Sequence, residues 1–254
     1  NCSKIIFNSE WSKKRFLLNL DVIYYKSDKL EVIHQSINKE KINIKTKKNI
    51  ITFVGKLNSA KGYDLFGKAI IKILNQHPKW KSIVIGDELR EEINFTHKNL
   101  TNIGFQNHKK VLEIFKKTSI SVACSRWEEP FGRTSLEAAS RGCAVIISNR
   151  GGLPETITNG IILQKLTSSN IYKEIKKLID DKKERIKLQK LSLKNFYLTD
   201  EFICKKIDNY RNKLNVDNKL KFTTIKKIDK LKILHVTNFN ERHNGRLFYN
   251  TGKR

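Results

Sequence analysis

Between Trp127 and Glu137 the chain reads WEEPFGRTSLE, and this segment concentrates the residue types best able to meet an anion or a hydroxyl. Pro130 and Gly132 break the backbone just before a helix expected from about Arg133. The first amides of a helix have no partner inside it and lie at the positive end of its dipole. Those from Phe131 to Thr134 can therefore face a phosphate or a sugar hydroxyl, with Glu129 and Glu137 flanking that place. The same residues fit a plain capping arrangement, Thr134 with Glu137 three positions on, which stabilises a helix by about 0.5–2 kcal/mol without a ligand. Taken by itself the spacing leaves both readings open.

A second candidate is the loop KLNSAKG, where Lys56 follows Gly55 and Lys61 precedes Gly62. Two ammonium groups there can neutralise phosphate, but lysine is so frequent in this chain that a solvated surface role is an equal reading. No D-x-D triplet occurs, so the carboxylate pair that would hold a cation between phosphates is missing. Histidines 34, 77, 97, 108, 235 and 243 show no metal-ligand spacing. Cys2, Cys124, Cys143 and Cys204 form neither a CxxC pair nor a disulfide framework, which fits a reducing compartment. Cys124 and Cys143 lie in strand-like runs and read as small buried hydrophobes.

The elements that must position these residues alternate. NIITFV is a compact apolar strand, and a helix from about Tyr63 to Asn75 follows with Leu65, Ala69, Ile70, Ile73 and Leu74 at helical spacing. WKSIVIG, a short NIGF, SISVACS and CAVIIS read as further strands, with helices through 111–115 and from Arg133 between them. The pattern predicts an α/β fold, a doubly wound, Rossmann-like parallel sheet with extra helices from Ser168 to about Leu214. Ligands of such sheets bind at the carboxyl ends of strands, here the loops after Val54, Ile85, Cys124 and Ser148. Residues 1–45 read as strand, helix and strand, too little for a core of their own. The run 231–239 reads as a new strand beyond a charged linker.

From Ile50 to about Leu163 the chain resembles the retaining GT-B glycosyltransferases of family 4, or group 1. FVGKLNSAKGYDLF is similar to their glycine and lysine loop, EPFGRTSLE has their E-x7-E spacing, and IGFQNHKKVLEIFKKTSISVACS and AASRGCAVIISNRGGLPE resemble the flanking segments. The resemblance implies that Glu129 contacts hydroxyls of a nucleotide-sugar donor and that Glu137 holds the ribose. It implies that Lys56 and Lys61 neutralise the diphosphate, with the Gly55 loop and residues 131–134 (Phe131, Gly132, Arg133, Thr134) beside it, and that Phe105 and Gln106 lie by the base. Position 56 is often Arg in the family, and Lys keeps the charge but not the bidentate fork. No cofactor and no metal are implied; the nucleotide sugar is a substrate.

The implied organisation is a last strand-helix-strand of an acceptor domain in 1–45, a donor domain in 46–215, a linker in 216–230 and, in 231–254, the opening strand and loop of a further such domain. The chain begins at Asn1 and lacks methionine, so it is expected to be a piece of a longer protein whose missing domain binds a glycan or lipid-linked acceptor. By itself this piece is expected to bind a nucleoside diphosphate and transfer nothing. The 51 Lys and Arg against 25 Asp and Glu are spread through nearly every element, which argues against a nucleic-acid face and fits peripheral contact with anionic lipid at the inner side of a membrane. A cytoplasmic setting and cell-surface glycan synthesis are the expectations. A nucleotide-sugar epimerase of the same fold, and a noncatalytic basic module on membrane or RNA, are the alternatives.

Overall fold

The computed structural model describes residues 4–18 and 29–219. Two parallel sheets form. The small one pairs β1 (Ile5–Phe7) with β2 (Leu30–Val32), flanked by α1 (Glu10–Leu17). Phe7, Leu30 and Val32 are buried there, with the Phe16 ring tilted against Phe7 at 5.1 Å. The large sheet contains β3 (Lys48–Val54), β4 (Lys81–Ile85), β5 (Leu100–Asn102), β6 (Thr118–Ala123), β7 (Ala144–Ser148) and β8 (Ile161–Leu163). Its spatial order is β5-β4-β3-β6-β7-β8, and every pair is parallel.

Both faces of this sheet are covered, so its central strands are buried on both sides, mostly through apolar residues with small hydroxyls such as Thr52, Ser119 and Ser121 among them. Along β7 the period of two divides the strand: Ala144 and Ile146 join one core with Phe66, Ile70 and Ile73 of α2 (Tyr63–Gln76) and Ile171 and Ile175 of α5 (Ser168–Asp180). Val145 and Ile147 join the opposite core with Val111 and Phe115 of α3 (His108–Lys117) and Leu136 of α4 (Arg133–Ser140). The expected doubly wound sheet is thus the observed one. The extra helices are α5, α6 (Lys182–Lys194) and α7 (Asp200–Lys219). From α7, Lys206 donates to the Val32 carbonyl at 2.6 Å and the Tyr210 hydroxyl to Glu31 at 2.6 Å, which ties the small sheet to the large one.

Two details differ from the sequence reading. The strand expected at NIGF sits earlier, at Leu100–Asn102, because the chain turns at Gly104 after Ile103 has donated to Val84 at 3.0 Å. Strand β8 was not anticipated: three residues after an Asn-Gly turn carry too little pattern to stand out. The linker expected at 216–230 begins within α7, while the rest of it and the strand expected at 231–239 lie outside the described residues.

Chain order runs outward from β3 to β5 and then returns to β6, so β3 and β6 flank the point where the winding reverses. In doubly wound sheets a crevice opens at that point, on the carboxyl edge. Here the loops leaving the two strands lie against each other. Gly62, at φ 75°, leads into α2, and a Cβ there would stand 2.0 Å from the Cys124 carbonyl oxygen. Both the left-handed backbone and the contact demand glycine. Gly62→Ala is therefore expected to destabilise the fold by more than about 3 kcal/mol, read as a lowered urea midpoint with unchanged slope.

Candidate functional site

The loop leaving β3 is built before any ligand arrives. Asn58 accepts from the Lys61 amide at 3.0 Å and donates to Glu88 at 2.9 Å, while the Ser59 amide and hydroxyl both donate to Glu91. Across the crevice, the Ala60 carbonyl accepts from the Ser125 hydroxyl at 3.1 Å and from the amides of Arg126 and Trp127 at 2.9 and 3.0 Å. Arg126 forks onto Asp64 at 2.6 and 2.7 Å. Hydrogen bonds from that guanidinium hold the Asp64 carboxyl below the usual carboxylate range, against the upward push of burial.

This stitching brings Lys61 to Glu129. Their ammonium and carboxylate form an ion pair that spans the winding-reversal point, with the Glu129 side chain only 15% exposed. Lys56 follows Gly55 at the end of β3, is exposed, and makes no ion pair or hydrogen bond among the described residues. The Glu129 backbone is held from behind. Its carbonyl accepts from the Gly152 amide at 2.6 Å, and Gly151 at φ 57° passes so close that a Cβ would meet that same oxygen at 2.2 Å. Phe131 is a core side chain lying 5.5 Å from the His34 ring, so only its backbone is open to a ligand.

Helix α4 starts at Arg133 after Gly132 at φ 104°, and no side chain caps it. The Thr134–Glu137 box does not form. Ser135 instead returns its hydroxyl to the Gly132 carbonyl at 2.8 Å. The Glu137 carboxylate, 6% exposed, points at His108 Nε2 (3.1 Å) and Arg133 Nε (3.3 Å), both on Oε1. His108 is a site residue that sequence reading passed over. It stands at the first position of α3, 29 residues before Glu137, and no local spacing links the two. Phe105 is 75% exposed rather than a core residue, and Gln106 donates to the Ile103 carbonyl at 2.7 Å; both lie beyond β5, toward the sheet's edge.

This edge of the sheet thus offers Lys61, with Lys56 just after β3, a helix start without a side-chain cap, and two largely buried carboxylates. The first two can neutralise an oxyanion, and the carboxylates can accept from hydroxyls. Among the described residues no three His, Cys, Asp or Glu side chains converge as a metal cage would require. Burial pushes the Cys124 thiol up to about 12 and raises Cys143 as well, which keeps both un-ionised.

The family described as glycosyl transferases group 1 matches residues 34–194. Spore coat protein SA of Bacillus subtilis (strain 168) is 31% identical over 162 residues, covering 57% of this chain and 43% of that protein. The lipopolysaccharide core biosynthesis mannosyltransferase LpcC of Rhizobium leguminosarum bv. viciae is 30% identical over 123 residues, 44% of this chain and 35% of its own length. The chain thus spans less than half of either relative. The crystal structure of Anabaena Alr3699/HepE in complex with UDP and glucose superposes with a TM-score of 0.69 over 83% of this chain and 63% of that one, at 18% identity, a likeness of fold.

One carboxylate beside the site has a definite pH signature. Glu155 accepts from the amides of Glu10 and Trp11 at 2.7 and 2.9 Å and from His34 at 2.9 Å. Burial pushes its carboxyl upward, and the bonds from His34, Trp11 and Glu10 outweigh that, leaving it below its ordinary value of about 4.5. A depressed carboxylate stabilises the fold fully above its unfolded value, and that contribution disappears as pH falls through the lower folded value. The stability gap between the parent and Glu155→Gln, measured by urea unfolding, is expected to shrink steadily as pH falls below about 4.5.

Proposed function

The chain belongs to the group 1 glycosyl transferases, whose pattern covers residues 34–194, and from that premise we propose that it forms the donor half of a retaining enzyme moving a sugar from a nucleoside-diphosphate sugar to an acceptor. The observation that carries this reading is the Lys61–Glu129 ion pair spanning the winding-reversal point, beside a helix start with no side-chain cap. In this reading Lys61 and Lys56, with the amides of residues 131–134, take up the charge that grows on the diphosphate as the glycosidic bond breaks. Stabilising that leaving group is the largest electrostatic task of the transfer, and these groups meet it without a metal ion. When the donor binds, Lys61 is shared between Glu129 and the phosphate, and Glu129 turns its free oxygen to the sugar hydroxyls. Glu137, oriented by His108 and Arg133 through one oxygen, offers the other to the ribose. Phe105 and Gln106 approach the base.

A hexose donor and a glycan or lipid-linked acceptor at the cell surface complete the proposal, supported by the lipopolysaccharide mannosyltransferase among the relatives. A uridine nucleotide is the first donor to try, given the ligands of the HepE structure. The setting is cytoplasmic, with the basic surface resting against anionic lipid. An epimerase on the same scaffold would need a further acid–base pair at the sugar, and no observation favours it.

Calorimetry with UDP, GDP and ADP tests the site: one of the three is expected to bind. Lys61→Ala and Glu137→Gln are each expected to weaken binding by roughly 10- to 100-fold, the range for one charge-assisted hydrogen bond. A noncatalytic basic module would instead keep its binding in both variants and lose it as salt rises. Failure of all three nucleotides to bind would sink the site.

A further inference from the structure

We propose that Ser9 and Ser12 of the amino-terminal segment are positioning residues for Glu129, so that the docking of α1 sets where that carboxylate points. The inference rests on the reading that Glu129 contacts the donor sugar. Its observations lie away from the ligand side of the site, in contacts that the nucleotide itself does not need.

The peptide after Glu129 is gripped at both of its residues by the first 34 residues of the chain. The Ser9 hydroxyl donates to the Pro130 carbonyl at 2.5 Å, and the Ser12 hydroxyl lies 3.2 Å from the same oxygen. Next in sequence, the Phe131 ring packs against His34. Proline fixes its own φ, so pinning its carbonyl leaves the Glu129–Pro130 unit almost no freedom to swing. From behind, the Gly152 amide holds the Glu129 carbonyl at 2.6 Å. The strip that carries the carboxylate is thereby clamped between α1 on one side and the loop after β7 on the other.

Ser9 is fully buried and does two things at once: it caps α1 by accepting from the Ser12 amide at 3.0 Å, and it donates a hydrogen bond to the Pro130 carbonyl. Glu155 fastens the same helix start by accepting from the Glu10 and Trp11 amides. The start of α1 is thus bonded to the loop after β6 through Ser9 and to the loop after β7 through Glu155, more than 100 residues away in each case. A displacement of α1 moves the Pro130 carbonyl, and the Glu129 side chain moves with it.

The readout is the sugar increment, the ratio of affinities for a nucleotide sugar and its bare nucleotide, measured by calorimetry on the full chain with UDP-glucose against UDP and GDP-mannose against GDP. Only a group that meets the sugar, or one that positions such a group, changes this ratio. Glu129→Gln is expected to erase it; if the ratio survives that change, the sugar-contact reading itself fails. Given that Glu129 carries the increment, Ser9→Ala/Ser12→Ala is expected to cut it about tenfold while affinity for the bare nucleotide stays within about threefold. Ser12→Ala alone leaves the helix cap in place and is expected to lower the ratio about threefold, guarding against a double variant that fails to fold. A retained ratio in the folded serine variants, with Glu129→Gln having erased it, would overturn the proposal. So would an equal loss for both members of each ligand pair, the mark of a merely structural role.

Discussion

The carboxyl edge of this sheet depends on how closely the loop leaving β3 lies against the loop leaving β6. One carbonyl, that of Ala60, takes three donors from residues 125–127, and the next glycine, Gly62, presses on the Cys124 carbonyl with no room for a Cβ. The loops leaving β4 and β7 also press on their neighbours, through Gly86 on the Gly55 carbonyl and Gly151 on the Glu129 carbonyl, but only at β3 and β6 does such a contact coincide with the reversal of winding. Once it has formed, Lys61 and Glu129 are brought together as a matter of geometry. The Arg126–Asp64 fork then ties the same junction to the first turn of α2, so the strand ends, the helix start and the ion pair share one rigid frame.

The sheet could be read from the sequence because its information is local. A strand buried on both faces writes itself as a run of apolar residues, and a helix covering one face as a 3.6-residue repeat, which is why NIITFV and 63–75 declared themselves. Two site features were legible for the same reason: the glycines and lysines of 55–62, and Glu129 and Glu137, lie within short stretches of unusual composition. What the sequence left ambiguous was a choice between partners. Thr134 and Glu137 have the spacing of a capping box, yet Gly132 adopts the left-handed turn that begins the helix two residues earlier than a Thr134 cap would allow. Glu137 is then drawn to His108, whose position follows from the packing of α3 against α4 and from nothing near it in the chain. Ser9, Ser12 and Glu155 were invisible for the same cause.

The basic composition also changes meaning with the structure in view. Several cations serve the backbone rather than the surface. Lys47, half-buried, donates to the carbonyls of Phe115 and Arg141 at 2.8 and 2.7 Å. Arg141 reaches the Asn38 carbonyl and Glu40, Lys206 reaches the carbonyl of Val32, and the Arg185 guanidinium lies 5.0 Å over the Trp80 ring. Four of these partners, at Phe115, Arg141, Asn38 and Val32, are main-chain carbonyls, which long flexible donors reach from a distance. Burial pulls the Lys47 ammonium down, so its place is held by hydrogen bonding to the two carbonyls more than by charge.

Against that cationic background the carboxylates near the crevice stand out by how fully each is engaged. Glu129 has Lys61, Glu137 has His108 and Arg133, and Glu155 has His34 with two helix-start amides. Each is mostly buried, and a buried carboxylate keeps its charge only where donors replace the water it has lost. The three form a graded series from the crevice outward. Glu129 is held by a single flexible ammonium, which a phosphate can share. Glu137 is fixed through one oxygen and leaves the other without a hydrogen bond among the described residues. Glu155 has both oxygens occupied and can only brace. The number of free acceptor sites therefore separates the carboxylates able to take a ligand hydroxyl from the one that holds the scaffold, and that distinction follows from the donors around each group rather than from its residue type.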